Sequence, residues 1–203
     1  MKPCPVCATR WVDQSCSRAG IRLPDAARRQ LIAGLLARRH LILSGPGGPG
    51  KARLARALAL CMAQDRASHL RSIQGHPWWA AKTHDIARFV AMQTDYSLWR
   101  MVDFVESISS VAPGKVQDYV AFVEGMSPVE IELYFGRFLW RLFRRAQHGA
   151  SPIPLRLIGT YNADTPPPLE DPIKRLAAVV HLDQTSLAAH ECRENGEKHL
   201  AGR

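Results

Sequence analysis

The chain has 203 residues and a mass of 22.6 kDa, enough for one domain with its own hydrophobic core. Its apolar fraction of 46% and charged fraction of 22% exclude a wholly disordered chain. No apolar run is long enough to cross a membrane and the N-terminal stretch has no apolar signal core, so we expect a cytoplasmic protein without a membrane partner. The net charge of +9 favours an acidic partner such as a nucleotide, a nucleic acid or an acidic subunit face.

The N-terminal arm is rich in cysteine and proline and shows no apolar period, which predicts irregular structure. Cys4 and Cys7 form a Cys-X-X-Cys pair, but the second pair that a structural zinc site usually has is absent. His40, or the distant His190 and Cys192, would have to complete such a site. The alternative is a group of unpaired thiols on a loose arm, and we expect no metal and no disulfide in a chain without an export signal.

Helical and strand patterns alternate from residue 24 onward. In chain order they predict a helix from residue 24, a strand at 40–44, a helix at 51–64, a strand at 70–74, helices near 82–92 and 97–110, a strand at 119–123, a helix at 127–147, a strand at 154–159, a short helix and a strand at 177–182. Such alternation is typical of βαβ units and a mostly parallel sheet. We therefore predict a three-layer α/β domain with five strands at 24–182, between an irregular arm at 1–23 and a polar tail or lid remnant at 183–203.

A glycine-rich loop lies between the first predicted strand and the following helix. It consists of Gly45, Pro46, Gly47, Gly48, Pro49, Gly50 and Lys51, and it has the spacing GxxxxGK. In this setting backbone N–H groups wrap a phosphate, the helix N-terminus adds partial positive charge, and the lysine reaches the β- and γ-phosphate oxygens. The loop therefore predicts a nucleotide-binding P-loop, and Ala52 and Arg53 complete the candidate binding stretch.

Two positions that usually handle magnesium are replaced. Ala52 stands where a Ser or Thr hydroxyl normally ligates Mg²⁺, and Val123 stands where an Asp normally holds its hydration shell, which puts Mg²⁺ in doubt. Glu124 is retained as the carboxylate that can orient or deprotonate an attacking water. Asn162 lies at the tip of the predicted fourth strand, where a γ-phosphate sensor would sit, and Arg175 precedes the fifth strand, where it can reach a neighbouring subunit's nucleotide. The plainer interpretations are a solvated carboxylate, a turn cap and a surface arginine.

These motifs, in this order, resemble the AAA+ ATPases, specifically the McrB-like/MoxR-like branch. That branch typically reads GPPGTGKT, Q-F-H-P, I-D-E-I-N-R with F-G-E-L, I-G-T-M-N-T-A-D and L-D-P-A-L-R-R-R-F; the corresponding stretches here are GPGGPGKA, IQGHP, FVE with FGRF, IGTYNAD and LEDPIKRL. The resemblance covers residues 25–182. It implies that Lys51 binds phosphate, Glu124 is the catalytic carboxylate, Asn162 is the first sensor and Arg175 is the arginine finger, with ATP or GTP as the nucleotide. The helical lid of this family is expected to be largely absent, because 21 residues follow residue 182.

Three functions stay open at this point. The first is a nucleotide-binding module with weak or no hydrolysis, acting with identical or different AAA+ subunits in a restriction or chaperone-like motor, with a nuclease or another effector as partner. The second is an active AAA+ NTPase. The third is a basic DNA-binding accessory protein, which depends on charge alone.

Overall fold

The computed structural model describes residues 3–74, 100–108, 119–148, 153–164, 169 and 171–183. A five-stranded sheet forms the middle of this structure, and its strands are β1 (His40–Gly45), β2 (Leu70–Gln74), β3 (Tyr119–Met126), β4 (Leu155–Asn162) and β5 (Ala177–His181). The order across the sheet is β2-β3-β4-β1-β5, and every pairing is parallel. The carboxyl ends of β1, β4 and β3 therefore lie side by side at one edge.

Helices cover both faces of the sheet. They are α1 (Pro5–Ala19), α2 (Asp25–Ala37), α3 (Pro49–Met62), the helical residues 100–108 (α4), α5 (Pro128–Ile131), a π-helical stretch (Glu132–Phe138), α6 (Leu139–Gln147) and α7 (Asp171–Leu176), with a 3₁₀ turn at Ala67–His69. No helix in the described part of the chain is long and apolar enough to span a membrane. The predicted helix near 82–92 and the tail from residue 184 lie outside the described residues.

Alternate residues of each central strand enter two separate apolar clusters. In β1, Leu41 and Leu43 pack with residues of α1, α2 and α3, whereas Ile42 packs with residues of α4, the π-helical stretch and α7. All six residues of β1 are buried, which is expected of a central parallel strand covered on both faces. This arrangement confirms the three-layer α/β architecture of a P-loop NTPase domain.

The expectation of an irregular N-terminal arm is wrong for α1. Pro5 occupies the first helical turn, and Gly20 ends the helix in the left-handed conformation with φ of 60°. Ala8, Val12 and Ala19 are 0–3% exposed and belong to the core on the α3 side of the sheet. The face that α1 buries is built largely from small residues, so its period carries little hydrophobic signal even though it allows close packing against α3.

The predicted helix at 127–147 is confirmed, and so is the capping box that begins it. The Glu130 carboxylate accepts hydrogen bonds from the Ser127 backbone N–H (2.9 Å) and hydroxyl (3.0 Å), while the Ser127 hydroxyl accepts one from the Glu130 N–H (3.2 Å). From there α5 continues through the π-helical stretch into α6. These helices cover the face of the sheet opposite α3.

His40, considered above as a zinc ligand, is instead a buried structural residue of β1. Its Nδ1 accepts a hydrogen bond from the Leu157 N–H (2.9 Å), and burial, helped by the charges of Arg39 and Arg156, lowers its pKa from 6.5 to about 3. The unfolded chain therefore takes up a proton below pH 6.5 that the folded chain does not bind, so stability falls as the pH falls from 6.5 towards 3.

We expect His40→Asn to flatten this acid-induced loss of stability. The Asn Oδ1 can replace Nδ1 as acceptor without titrating, so the stability difference between wild type and variant should change by up to ~1.4 kcal/mol per pH unit below 6.5. Urea unfolding at several pH values measures this slope, and the exposed His148, changed to Asn, is the matched control. Parallel pH profiles for wild type and His40→Asn would contradict the buried neutral imidazole.

Candidate nucleotide-binding site

The glycine-rich loop joins the carboxyl end of β1 to the N-terminus of α3. Gly48 is the N-cap residue of α3 and makes no side-chain capping bond, and Pro49 follows in the first turn. That turn contains no acidic residue. Gly48 therefore provides no side-chain cap for the first N–H groups of α3, and no carboxylate in that turn offsets the positive end of the helix. Such a terminus suits an anion.

Gly45 is held tightly by the strand ends on both sides of it. The backbone has φ of 148°, and a Cβ atom at this position would lie 2.0 Å from the carbonyl oxygen of Leu182. The Gly45 carbonyl accepts a hydrogen bond from the Ala163 N–H (2.9 Å), and the neighbouring Ser44 carbonyl accepts one from the Leu182 N–H (2.8 Å). The start of the loop is thus fixed by both β4 and β5.

His181 also fixes this region, although no local pattern indicates such a role. Its Nδ1 lies 3.1 Å from the hydroxyl of Ser44, the residue before the loop. His181 and Leu182 acquire this role only because β5 is the parallel neighbour of β1, with Ser44 paired to His181. His181 and Leu182 therefore support the loop because of the strand order, which local sequence patterns do not reveal.

The middle of the loop is open, whereas its lysine is enclosed. Among the described residues, no heavy atom lies within 4 Å of a Cβ built on Gly47 or Gly48, which leaves their backbone accessible to a ligand. Lys51 is 1% exposed, and its Nζ donates a hydrogen bond to the Pro46 carbonyl oxygen across the loop. Burial lowers the pKa of Lys51. A phosphate at the loop would provide the counter-charge that this buried ammonium lacks in the loop itself.

β3 is three residues longer than predicted, which changes the setting of Glu124. The residue lies within the strand and is half-buried, instead of following the strand on a loop. The pairing of β3 with β4 is interrupted by a bulge after Val123. There Gly125 adopts φ of 67° and donates its N–H to the Thr160 hydroxyl (2.8 Å). Bulges of this kind redirect side chains at the ends of strands.

Glu124 and Asn162 both lie on the α3 side of the sheet, at its carboxyl edge. Side chains alternate along a strand, and Glu124 lies two residues after Phe122, which packs in the cluster that contains α3, and is still in register with Gln74 of β2. Ile158 of β4 packs in the same cluster, and Asn162 is four residues further along that strand. Asn162 is also paired with Gly45, the first residue of the loop. The topology therefore brings Lys51, Glu124 and Asn162 to one edge and one face.

The residues at the two replaced positions do not fit a magnesium ion. Ala52 has no oxygen in its side chain, and Val123 is fully buried in the apolar cluster on the face opposite α3. Magnesium takes oxygen ligands, and neither side chain offers one. The chain therefore keeps the glycine-rich loop and its lysine but lacks the two side chains that usually hold magnesium.

Arg175 lies away from the loop of its own chain. It is exposed in the last turn of α7, immediately before the amino end of β5, whereas the loop lies at the carboxyl edge. Arg38 donates a hydrogen bond to the Lys174 carbonyl (3.0 Å), which ties α7 to the end of α2. A shallow surface cavity of about 470 Å³ lies beside this junction, lined in part by Ala37 and Ala177. The structure therefore does not bring Arg175 together with Lys51, Glu124 and Asn162.

Arg53, the last residue of the candidate binding stretch, has a structural contact instead. Its guanidinium donates a hydrogen bond to the Ala19 carbonyl (2.6 Å) and so joins α3 to α1.

The parallel sheet, the loop at its carboxyl edge and the buried lysine define an α/β domain of the P-loop class. No known family model matches the chain, and no curated protein matches it. Among solved structures, C. elegans PCH-2 is 14% identical, with a TM-score of 0.41 over 87% of this chain and 41% of that chain. The E. coli MS115-1 HORMA:CdnC:Trip13 complex contains a chain that is also 14% identical, with a TM-score of 0.38 over 88% and 54%. The chain thus spans about half the length of these matched chains, and the fold assignment depends on its strand order and loop.

Proposed function

We propose that the chain is an AAA+-like nucleotide-binding module with weak or no hydrolysis of its own, of the McrB-like/MoxR-like type. The observation that supports this most is the loop itself, which places the buried Lys51 and an uncapped helix N-terminus at the carboxyl edge of a parallel sheet. Ligands of open α/β sheets bind at this edge. Phosphate is the anion that this combination of backbone donors and lysine recognises best.

The residues present fit the triphosphate of ATP or GTP. The open backbone at Gly47 and Gly48 and the first turn of α3 would hold the β-phosphate. Lys51 would exchange the Pro46 carbonyl for a phosphate oxygen, which replaces a neutral acceptor by a charged one and makes a stronger hydrogen bond. Nothing in these contacts involves the base, so ATP and GTP both fit.

Weak hydrolysis follows from the magnesium positions. When bound, the metal neutralises charge that develops between the phosphates, and Ala52 and Val123 provide no oxygen to hold it. In this proposal Glu124 would orient a water, and Arg175, which lies at the other edge, would act on a neighbouring subunit. We therefore propose that the chain works in an assembly with identical or different AAA+ subunits, and that these subunits supply the missing groups. The assembly would be a motor that acts together with a nuclease or another effector.

We expect nucleotide binding by the natural chain to be nearly the same in Mg²⁺ and in EDTA. Ala52→Thr restores a hydroxyl at the loop and should make binding Mg²⁺-dependent by about tenfold, equivalent to ~1.4 kcal/mol. Ala52→Val is the matched control, because valine has the shape of threonine without its hydroxyl. Val123→Asp is not a suitable variant, because it would bury a carboxylate in an apolar cluster and destabilise the fold. Calorimetric titration of ATP and GTP into each chain makes the comparison.

Strong Mg²⁺-dependent binding or rapid turnover by the natural chain would overturn the proposal of weak hydrolysis. It would favour an active NTPase instead, the second candidate, which is supported by the common edge and face of Lys51, Glu124 and Asn162. Phosphate release by the purified chain, with and without Mg²⁺, separates these two functions. Absence of binding to all three chains would mean that the loop has no nucleotide-binding function.

A basic DNA-binding function is the third candidate, and α6 is the observation that favours it. Arg141, Phe143 and Arg144 are exposed on this helix, and the Phe143 ring stacks on Trp140 with centroids 5.4 Å apart. Guanidinium groups can contact phosphates while an exposed ring stacks on a base. If this surface binds DNA, Arg141→Gln with Arg144→Gln should weaken a salt-sensitive gel shift by roughly tenfold, whereas the exposed pair Arg22 and Arg29 changed to Gln should not. Equal losses would indicate non-specific charge.

A further inference from the structure

A pair of thiols lies at the N-terminus of α1, outside the loop site. Cys4 is the N-cap residue, and its Sγ accepts a hydrogen bond from the Cys7 backbone N–H (3.2 Å). The Cys7 Sγ lies 2.8 Å from the Cys4 Sγ, so the two thiols are in direct contact. Pro5 in the first turn keeps this segment helical, so the two sulfurs are held on the same side of the turn.

The two thiols differ in their access to solvent. Cys4 is exposed, Cys7 is half-buried behind it, and the intervening Val6 is 76% exposed, so the approach to Cys4 is open. Of the other described cysteines, Cys16 is half-buried and Cys61 is buried. An incoming reagent therefore meets Cys4 first and finds Cys7 directly behind it.

The electrostatics give the two thiols different chemical roles. The hydrogen bonds from Cys7, with smaller contributions from the Val6 backbone and the charge of Arg10, lower the pKa of Cys4, whereas the thiol–thiol contact raises the pKa of Cys7. The first turn of α1 contains no acidic residue, so the positive helix terminus also favours a thiolate at Cys4. One thiolate nucleophile with one protonated thiol behind it is the arrangement that thiol–disulfide exchange requires.

A zinc site is not supported by the described residues. No group of three or more His, Cys, Asp or Glu side chains that could hold a metal ion occurs among them. Cys16 is nine residues beyond Cys7 along α1, which at 1.5 Å per residue places it roughly 13 Å away. Cys4 and Cys7 alone provide two ligands, and a structural zinc site has four.

We propose that Cys4 and Cys7 form a redox-active dithiol that reacts with low-molecular-weight disulfides. The Cys4 thiolate attacks one sulfur of the disulfide and releases the other as a thiolate. Cys7, after losing its proton to solvent, attacks the Cys4 sulfur of this mixed disulfide and releases the second thiolate. One disulfide is reduced to two thiols while the Cys4–Cys7 pair loses two electrons and two protons, and reduced thiol reverses the reaction. The site is independent of the proposed nucleotide binding.

The test is oxidation of the full chain by glutathione disulfide, followed by trypsin digestion and mass spectrometry. Cleavage after Arg10 gives a peptide of residues 1–10 that contains Cys4 and Cys7 and no other cysteine. We expect this peptide to become lighter by two hydrogen atoms and to recover when reduced glutathione is added. We also expect Cys4 to be alkylated at neutral pH about tenfold faster than Cys16, a difference that disappears in urea because it depends on the fold.

Three variants assign the roles. Cys7→Ser should stop the reaction at a mixed disulfide between Cys4 and glutathione, and Cys4→Ser, which keeps an N-cap acceptor, should react at least tenfold more slowly. Cys16→Ser is the control and should behave as wild type. The proposal is overturned by equal reactivity of the Cys4→Ser and Cys7→Ser chains, by glutathione found mainly on Cys16 or Cys61, or by one zinc per purified chain that both variants lose.

Discussion

Replacing Gly45 by alanine is expected to destabilise the fold by about 3 kcal/mol or more, because the added methyl group has no space. A Cβ at this position would lie 2.0 Å from the Leu182 carbonyl oxygen, which is backbone and cannot rotate away, and φ of 148° is unfavourable for alanine. Relief of the clash requires β1 and the end of β5 to separate. Urea unfolding followed by circular dichroism measures the loss.

Gly47→Ala is the matched control for this prediction. It lies two residues further along the same loop, and a Cβ there meets no heavy atom within 4 Å in the part of the chain that the structure describes. We expect its free energy of unfolding to stay within ~1 kcal/mol of the wild type. If Gly45→Ala proves as stable as Gly47→Ala, Leu182 does not lie against the start of the loop, and the contact between β1 and the end of β5 is wrong.

Lys51→Met is expected to weaken the binding of ATP or GTP by roughly 10–100-fold while the chain stays folded. A hydrogen bond from a charged group contributes ~1.5–3 kcal/mol, which corresponds to this range of affinity. Methionine keeps an apolar stem in a position that is 1% exposed and removes a buried charge, so the fold should not suffer. Calorimetry gives the affinity, and thermal unfolding without nucleotide verifies the fold.

Lys174→Met is the control, because it removes the same charge from an exposed side chain at the opposite edge of the sheet. Its affinity for nucleotide should equal that of the wild type. Equal weakening by both substitutions would show that net charge alone governs binding. An unchanged affinity in a folded Lys51→Met chain would refute the proposed role of the loop, whatever the behaviour of the magnesium positions.

Local patterns predicted the elements of this protein well where their signal was strong. The helix that begins near residue 24, the strands at 40–44 and 70–74 and the capping box at Ser127 all depend on neighbouring residues, and the structure confirms each of them. The glycine-rich loop was also identified from sequence, since its spacing and its place between a strand and a helix are local properties. The roles of Glu124, Asn162 and Arg175 stay predictions.

Patterns were weakest where the buried face is built from small side chains or where a strand continues past a bulge. α1 was missed because Ala8, Ser15 and Ala19 give little hydrophobic contrast, although Pro5 and Gly20 mark its two ends. The last residues of β3 were missed because Gly125 interrupts the alternation, and only the pairing with neighbouring strands, Glu124 with Gln74 and Met126 with Tyr161, shows that the strand continues.

The sequence by itself determined the class of fold and the position of the candidate loop, because helix and strand periods and the GxxxxGK spacing are properties of short segments. Only the tertiary structure decided which residues meet. Strand order placed Asn162 beside Gly45, put Leu182 against the loop, and moved Arg175 to the opposite edge. These relations join residues more than 100 positions apart, and the free energy that selects them comes from burying both faces of one sheet, which no local pattern records.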